Sequence, residues 1–316
     1  MLSTIKNTRL HSFATTPANS LETQVGNTPL IRLWNTAVTH HIPDTVALYA
    51  KAEWFNPSGS VKDRAALNII RTAEANGQLQ RGMTLLDSTS GNMGIAYAML
   101  GAARGYRVKL TVPGNASPER IAILKAYGAE LILTDPLEGS DGAIVEARRL
   151  AAEDPTLYYA NQYNNSANWQ AHYKTTAPEI WQQTQGEITH FVAGLGTSGT
   201  FTGTTRRLKK FNPNIQALAM QPDSPFHGLE GLKHMPSALK PGIYDEAVPD
   251  AQVTVRTEDA HKMARFLAKN EGLFVGISAA AAVVASLNVA KTLDEGVVVT
   301  ILPDNGFKYL SDKLWQ

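Results

Sequence analysis

The chain has 316 residues, 43% of them hydrophobic and 18% charged, with 29 Lys+Arg against 28 Asp+Glu. That length suits one large domain or two ordinary ones, and the balanced charge lacks the basic excess of a nucleic-acid binder. Cysteine is absent, which excludes disulfides, thiolate metal sites and a thiol nucleophile and agrees with a reducing compartment.

Residues 1–21 contain no acid and are rich in Ser and Thr. This composition faintly resembles an organelle transit segment, but with only Lys6 and Arg9 charged it reads better as part of an N-terminal arm over 1–27. Residues 46–54 alternate Val46, Leu48, Ala50, Ala52 and Trp54 as a half-buried strand does, and 61–76 has helical periodicity ending at Gly77. Short apolar runs follow at 83–86, 108–112, 131–133 and 157–159, separated by helical stretches near 92–103, 118–127 and 141–153. Ser117-Pro118-Glu119 is a helix start and Gly128 a stop. Further strands are expected near 188–193, 215–220, 252–257, 273–277 and 297–302. The uncharged run 272–290 is long enough to raise a membrane span, but its order predicts a β run, a turn and a buried Ala-rich helix. Alternation of this kind predicts an α/β protein with two parallel sheets, hence two domains with a cleft between them.

Four turns carry candidate chemistry. Asn56-Pro57-Ser58-Gly59-Ser60-Val61-Lys62-Asp63-Arg64 follows a strand and opens a helix. On that helix Lys62 shares the apolar face of Ala65, Ala66, Ile69 and Ala73, while Arg64, Asn68 and Arg71 mark the expected wet face. Burial near the positive end of a helix lowers a lysine's pKa, as an amine that attacks carbonyls requires. Position alone favours the other reading, a first-turn lysine whose ammonium snorkels to water.

Ser88-Thr89-Ser90-Gly91-Asn92-Met93-Gly94 places small hydroxyl and amide residues at a helix N-terminus, where they offer donors to an anion or simply cap the helix. Gly194-Leu195-Gly196-Thr197-Ser198-Gly199-Thr200 contains a formal G-x-G-x-x-G with Asp223 after the next strand. That pattern admits a nicotinamide-dependent dehydrogenase. Its density of hydroxyls leans towards a cup for one phosphate monoester. Ser278 in Gly276-Ile277-Ser278 can cap a helix or offer a neutral hydroxyl.

In this order, and with Gly26-Asn27-Thr28-Pro29-Leu30, these segments resemble the cysteine synthase/cystathionine β-synthase family. Asn161-Gln162-Tyr163-Asn164-Asn165, His172-Tyr173 and Pro178-Glu179-Ile180 look like its cysteine synthase B branch. The resemblance covers about 26–310. It implies a fold type II pyridoxal-phosphate enzyme, tryptophan synthase β-like, with two α/β domains and pyridoxal 5'-phosphate in the cleft. The larger domain would be 28–55 with 167–316, and the smaller, mobile one 56–166.

The resemblance further implies that Lys62 carries the cofactor and moves the Cα proton, and that Asn92 meets the ring hydroxyl. Gly196, Thr197, Ser198, Gly199 and Thr200 would hold the phosphate, and Ser278 the pyridine nitrogen. Thr89, Ser90, Gly91, Asn92, Met93 and Gln162 would line the substrate carboxylate. The implied reaction is β-replacement through an α-aminoacrylate, making L-cysteine from O-acetyl-L-serine and sulfide, in a cytoplasmic homodimer with no nucleic-acid or membrane partner.

Two departures mark the chain. Met93 stands where the family usually has a threonine. Lys233 lies where the family approaches the substrate side chain: a cation there suits O-phosphoserine or an anionic sulfur donor, and equally a surface lysine. These leave O-phosphoserine, or another nucleophile as in diaminopropionate- or cystathionine-forming enzymes, as alternatives. No metal site is expected.

Overall fold

The structure is a computed structural model and describes residues 20–89 and 91–315, so most of the expected N-terminal arm lies outside the described residues. The elements run β1 (Leu30–Arg32), α1 (Trp34–Thr39), β2 (Val46–Ala52), α2 (Lys62–Ala75), β3 (Thr84–Ser88), α3 (Asn92–Arg104), β4 (Arg107–Pro113), α4 (Pro118–Ala126), β5 (Glu130–Thr134) and α5 (Gly139–Glu153). They continue with β6 (Leu157–Tyr159), α6 (Ser166–Lys174), α7 (Thr176–Gln183), β7 (His190–Gly194), α8 (Gly199–Phe211), β8 (Gln216–Pro222), β9 (Ala251–Val255), α9 (Thr257–Asn270), α10 (Ile277–Ala290) and β10 (Gly296–Leu302).

Among the described residues the strands form two sheets, a four-stranded one ordered β5-β4-β3-β6 and a six-stranded one ordered β1-β2-β10-β7-β8-β9. Every pairing is parallel except β1 with β2. β10 is buried on both faces from Val298 onward, which is why its sequence is a continuous β-branched run instead of an alternation. Against it packs α10, apolar all round, with its alanines buried. No helix among the described residues is long and apolar enough to cross a membrane. The helix start at Ser117 also holds, its side chain accepting from the backbone N–H of Arg120.

Two expectations need correction. Residues 273–277 form no strand. Gly272 turns the chain at φ 68°, α10 already begins at Ile277, and only an isolated bridge from Val275 to Asn305 remains. Arg64 is not on a wet face; it is 2% exposed. Its Nε and Nη2 donate to the Glu53 carboxylate at 2.7 and 2.9 Å, and Nη1 and Nη2 to Glu179 at 2.6 and 2.8 Å. Lys51 Nζ reaches the same Glu179 at 2.7 Å, and the Thr28 hydroxyl donates to Glu53 at 2.7 Å. Burial opposes the charge on Glu179, but Arg64 and Lys51 outweigh it and hold its carboxyl down at about 2.

This network places α2. The helix packs its apolar face, with Ile69 and Ile70, into the core beneath the four-stranded sheet. Its first turn is pinned to the six-stranded sheet by Arg64 and by the Val61 N–H, which donates to the Pro303 carbonyl at 2.8 Å. Arg64→Met leaves Glu53 buried without its cation. It is expected to cost about 3–5 kcal/mol in denaturant unfolding, and Glu53→Gln in the same chain should recover part of the loss.

Candidate active site

The carboxyl ends of strands from both sheets meet at one cleft, where open α/β sheets place their ligands. Its walls include Lys62, Thr89, Gly91 to Met93, Gln162, Gly196 to Thr200, Lys233 and Ser278. All the expected site residues therefore converge there except Ser90, which lies outside the described residues.

Lys62 opens α2 at the cleft. Desolvation lowers its pKa, only partly opposed by the carboxylates of Asp304 and Glu53. Lys62 is partly exposed, and the surface it reaches is this cleft. A lowered pKa moves the lysine towards the neutral amine that carbonyl chemistry needs.

Asn92 is fixed on both sides. Its Nδ2 donates to Asp304 Oδ2 at 2.6 Å, and its Oδ1 accepts from Lys308 Nζ at 2.7 Å. Turning the amide over would set its NH2 against an ammonium and its oxygen against a carboxylate, so one orientation is locked. The second Nδ2 hydrogen is left for a ligand. Lys308 spends its other hydrogens on the carbonyls of Ser58 and Gly59 at 3.0 and 3.2 Å. It thereby ties Asn92 to the turn that carries Lys62. Asp304 and Lys308 were absent from the sequence-based site. An acid just past the carboxyl end of a buried central strand was the signal available.

Beside Asn92, the Thr89 hydroxyl accepts from the N–H groups of Gly91 and Gly94 at 3.1 and 3.0 Å. With its oxygen so used, its hydrogen remains to donate. Gln162 Nε2 donates to the Ser88 carbonyl at 2.6 Å and its backbone N–H to Asp87 Oδ2 at 3.3 Å. Asp87 lies beneath the turn, and burial pushes its carboxyl up to about 7. Met93 is 3% exposed and lines the cleft, offering a thioether where a hydroxyl was expected.

The turn from Gly194 to Thr200 has the shape and donors of a phosphate cup. Ser198 adopts a left-handed φ of 70°, which a non-glycine residue keeps only when its surroundings enforce it. Its buried Oγ has no hydrogen-bond partner among the described residues. A Cβ on Gly196 would sit 2.3 Å from the Gly231 carbonyl, and one on Gly199 2.0 Å from Asn168 Oδ1, so both glycines are required by close approach. Thr200 Oγ1 lies 3.3 Å from Nε2 of buried His172, whose pKa burial drives well down, so a neutral imidazole supports the cup. The donors suit one phosphate monoester. Asp223, needed for a dinucleotide ribose, is exposed and does not line the cleft.

Ser278 sits in the first turn of α10 and lines the cleft; the N-cap position is Gly276, so the capping alternative fails. Lys233 lines the cleft too, but Asp141 Oδ1 holds its ammonium at 3.0 Å, beside the Tyr163 ring. Arg120 and Glu230, which the sequence did not single out, complete the wall as an ion pair.

Comparison with known proteins follows the same lines. A family model described as "Pyridoxal-phosphate dependent enzyme" matches residues 21–304. A cysteine synthase of Aquifex aeolicus is 53% identical over 297 residues, covering 92% of this chain and 90% of the relative. Cysteine synthase B of Escherichia coli is 43% identical over 296 residues, covering 93% and 95%. The crystal structure of cysteine synthase from Entamoeba histolytica superposes with a TM-score of 0.89 at 36% identity, covering 100% of this chain and 94% of that one.

The clamp on Asn92 yields a measurable consequence. Lys308→Met frees the amide to turn and should weaken pyridoxal phosphate retention about tenfold, the size of one charge-assisted hydrogen bond. Lys308→Arg keeps a donor and should restore most of it. Equal retention in both variants and the unaltered chain, measured by equilibrium dialysis, assigns Lys308 to stability alone.

Proposed function

The chain belongs to the pyridoxal-phosphate-dependent enzyme family, and from that premise we propose that it makes L-cysteine from O-acetyl-L-serine and sulfide by β-replacement, as a transferase. The observation that carries the reading is the convergence on one cleft of a desolvated lysine, a hydroxyl-lined anion turn, a phosphate cup and a neutral serine. Relatives 53% and 43% identical to the chain bear the names cysteine synthase and cysteine synthase B.

Pyridoxal phosphate, when bound, supplies an electron sink that weakens the Cα–H bond of an amino acid held on it. The chain's own groups do the rest. Lys62 Nζ, its pKa lowered by desolvation, accepts the Cα proton as general base and later returns one. The Thr89 hydroxyl, the Asn92 backbone N–H and the remaining hydrogen of the Gln162 amide bind the substrate carboxylate. Asn92 would hold the ring hydroxyl, and Gly196 to Thr200 the phosphate. Ser278, a neutral partner for the pyridine nitrogen, does not enforce ring protonation as a carboxylate would. That favours loss of a group from Cβ over deeper carbanion chemistry.

The part built on the four-stranded sheet, about 56–166, acts as the smaller mobile domain, and 28–55 with 167–316 as the larger one. Carboxylate binding at the Thr89–Asn92 turn draws the smaller domain over the cleft and excludes water. The enzyme works as a homodimer in the cytoplasm. A second reading, β-replacement with a different nucleophile, rests on Met93, which withdraws one hydroxyl from the carboxylate turn.

The purified holoenzyme should absorb in the visible and form cysteine from O-acetylserine and sulfide, and Lys62→Ala should lose both properties. Absorbance that survives Lys62→Ala sinks the assignment of the cofactor lysine. Absence of cysteine from a coloured enzyme sinks the substrate assignment instead. Met93→Thr restores a hydroxyl and should lower the KM for O-acetylserine by about two- to tenfold at similar kcat, as one neutral hydrogen bond allows. An unchanged KM shows that Met93 does not face the carboxylate.

A further inference from the structure

We propose that Glu230 determines substrate specificity: its carboxylate masks an anion subsite at Arg120 and confines the cleft to serines whose β-substituent is uncharged. The inference rests on the β-replacement reading and names the substrate class of that same site, with O-phosphoserine as the excluded alternative.

The asymmetry of the ion pair carries the argument. Arg120 is part of the wall: it is 2% exposed, and its guanidinium lies 4.8 Å from the centre of the Tyr309 ring. It lies against Gly91 so closely that a Cβ there would stand 2.9 Å from its Cδ and Nε. The anion is the adaptable member. Glu230 is 39% exposed and stands on the loop between Gly228 and Gly231, the latter at φ +85°. Arg120 Nη1 donates to Glu230 Oε1, and Nη2 to Oε2 at 2.8 Å. This two-pronged fork is the geometry by which arginine also takes phosphate, so a phosphoryl group and Glu230 compete for the same donors.

The charge count of the cleft follows. Among the described residues its cationic side chains are Lys62, Arg120 and Lys233. Lys62 is disposed to neutrality by burial, Glu230 matches Arg120, and Asp141 matches Lys233. A neutral ester enters such a cleft without an electrostatic cost. A phosphate dianion would have to give up its water there without an uncommitted cation, or first expel Glu230.

Glu230→Gln keeps the shape and removes the charge. Assayed as holoenzyme with sulfide, it should raise the ratio of kcat/KM for O-phosphoserine over O-acetylserine about tenfold or more. Inorganic phosphate, used as a probe, should inhibit it at correspondingly lower concentration. Arg120→Met combined with Glu230→Gln should abolish both gains. An unchanged ratio overturns the proposal. So does an equal loss with both donors, which would make the pair only a clasp between α4 and the 228–234 loop. An unaltered enzyme inert to O-acetylserine refutes the functional reading, whereas tighter binding of inorganic phosphate to Glu230→Gln holoenzyme, measured by calorimetry and lost with Arg120→Met, still supports the subsite.

Discussion

Four segments of the cleft are held together by one buried residue, Asp304. Its carboxylate Oδ2 accepts from Asn92 Nδ2 and from the Tyr309 hydroxyl, each at 2.6 Å. Its backbone carbonyl accepts from the Gly276 N–H, which starts the helix bearing Ser278, and it forms an isolated bridge with Ser60, two residues before Lys62. A carboxylate at 0% exposure persists only with opposite charge and donors nearby. Lys308 supplies the charge, and Asn92 and Tyr309 the donors. Satisfying Asp304 therefore requires the end of β10, the turn before α2, the start of α3 and the start of α10 to be in place together.

The same arrangement separates two lysines that composition alone would not distinguish. Burial lowers the pKa of both. Lys308 is saturated, with three acceptors for its three hydrogens, and its work is to hold Asn92 and the 58–59 turn. Lys62 has no hydrogen bond to its Nζ among the described residues, and it faces the cleft. An amine without acceptors gains least from staying protonated, which suits Lys62 to the proposed proton transfer and Lys308 to rigidity. The difference lies in partners, not in residue type.

Partners also explain what could be read from the chain. The turns at Thr89–Gly94, Gly194–Thr200 and Gly276–Ser278 were legible because their chemistry is local: small residues between a strand and a helix expose N–H groups whatever surrounds them. The alternation of strands and helices fixed the α/β class for the same reason. Asp304 and Lys308 were not legible, since their meaning depends on Asn92, more than two hundred residues away. Arg64 was assigned to water because helical periodicity knows only its own helix, whereas Glu53 and Glu179 come from elsewhere. Lys233 was legible as a cation near the substrate, but not as one already matched by Asp141. The segments Gly26–Leu30 and Pro178–Ile180, which helped to carry the family resemblance, act away from the cleft: Thr28 and Glu179 belong to the Arg64 network.

That network and the Asp304 junction share α2 between them. The body of the helix is committed to the core under the four-stranded sheet, while its first turn is committed to the six-stranded one. Any motion of one sheet against the other must therefore spare the position of Lys62 and be taken up elsewhere. The contacts that join the Thr89–Asn92 side to the rest of the cleft are of another kind. Asn92 meets Asp304 and Lys308 through side-chain bonds, and the exposed carboxylates of Glu230 and Asp141 meet Arg120 and Lys233. In the Glu230 and Asp141 pairs a displaced carboxylate can return to water and only the buried cation needs a new partner, whereas breaking the Arg64–Glu53 pair strands a charge on both sides. The fold thus holds the turn of Lys62 with interactions whose loss strands charge on both sides, and lines the rest of the cleft with pairs in which one carboxylate reaches water.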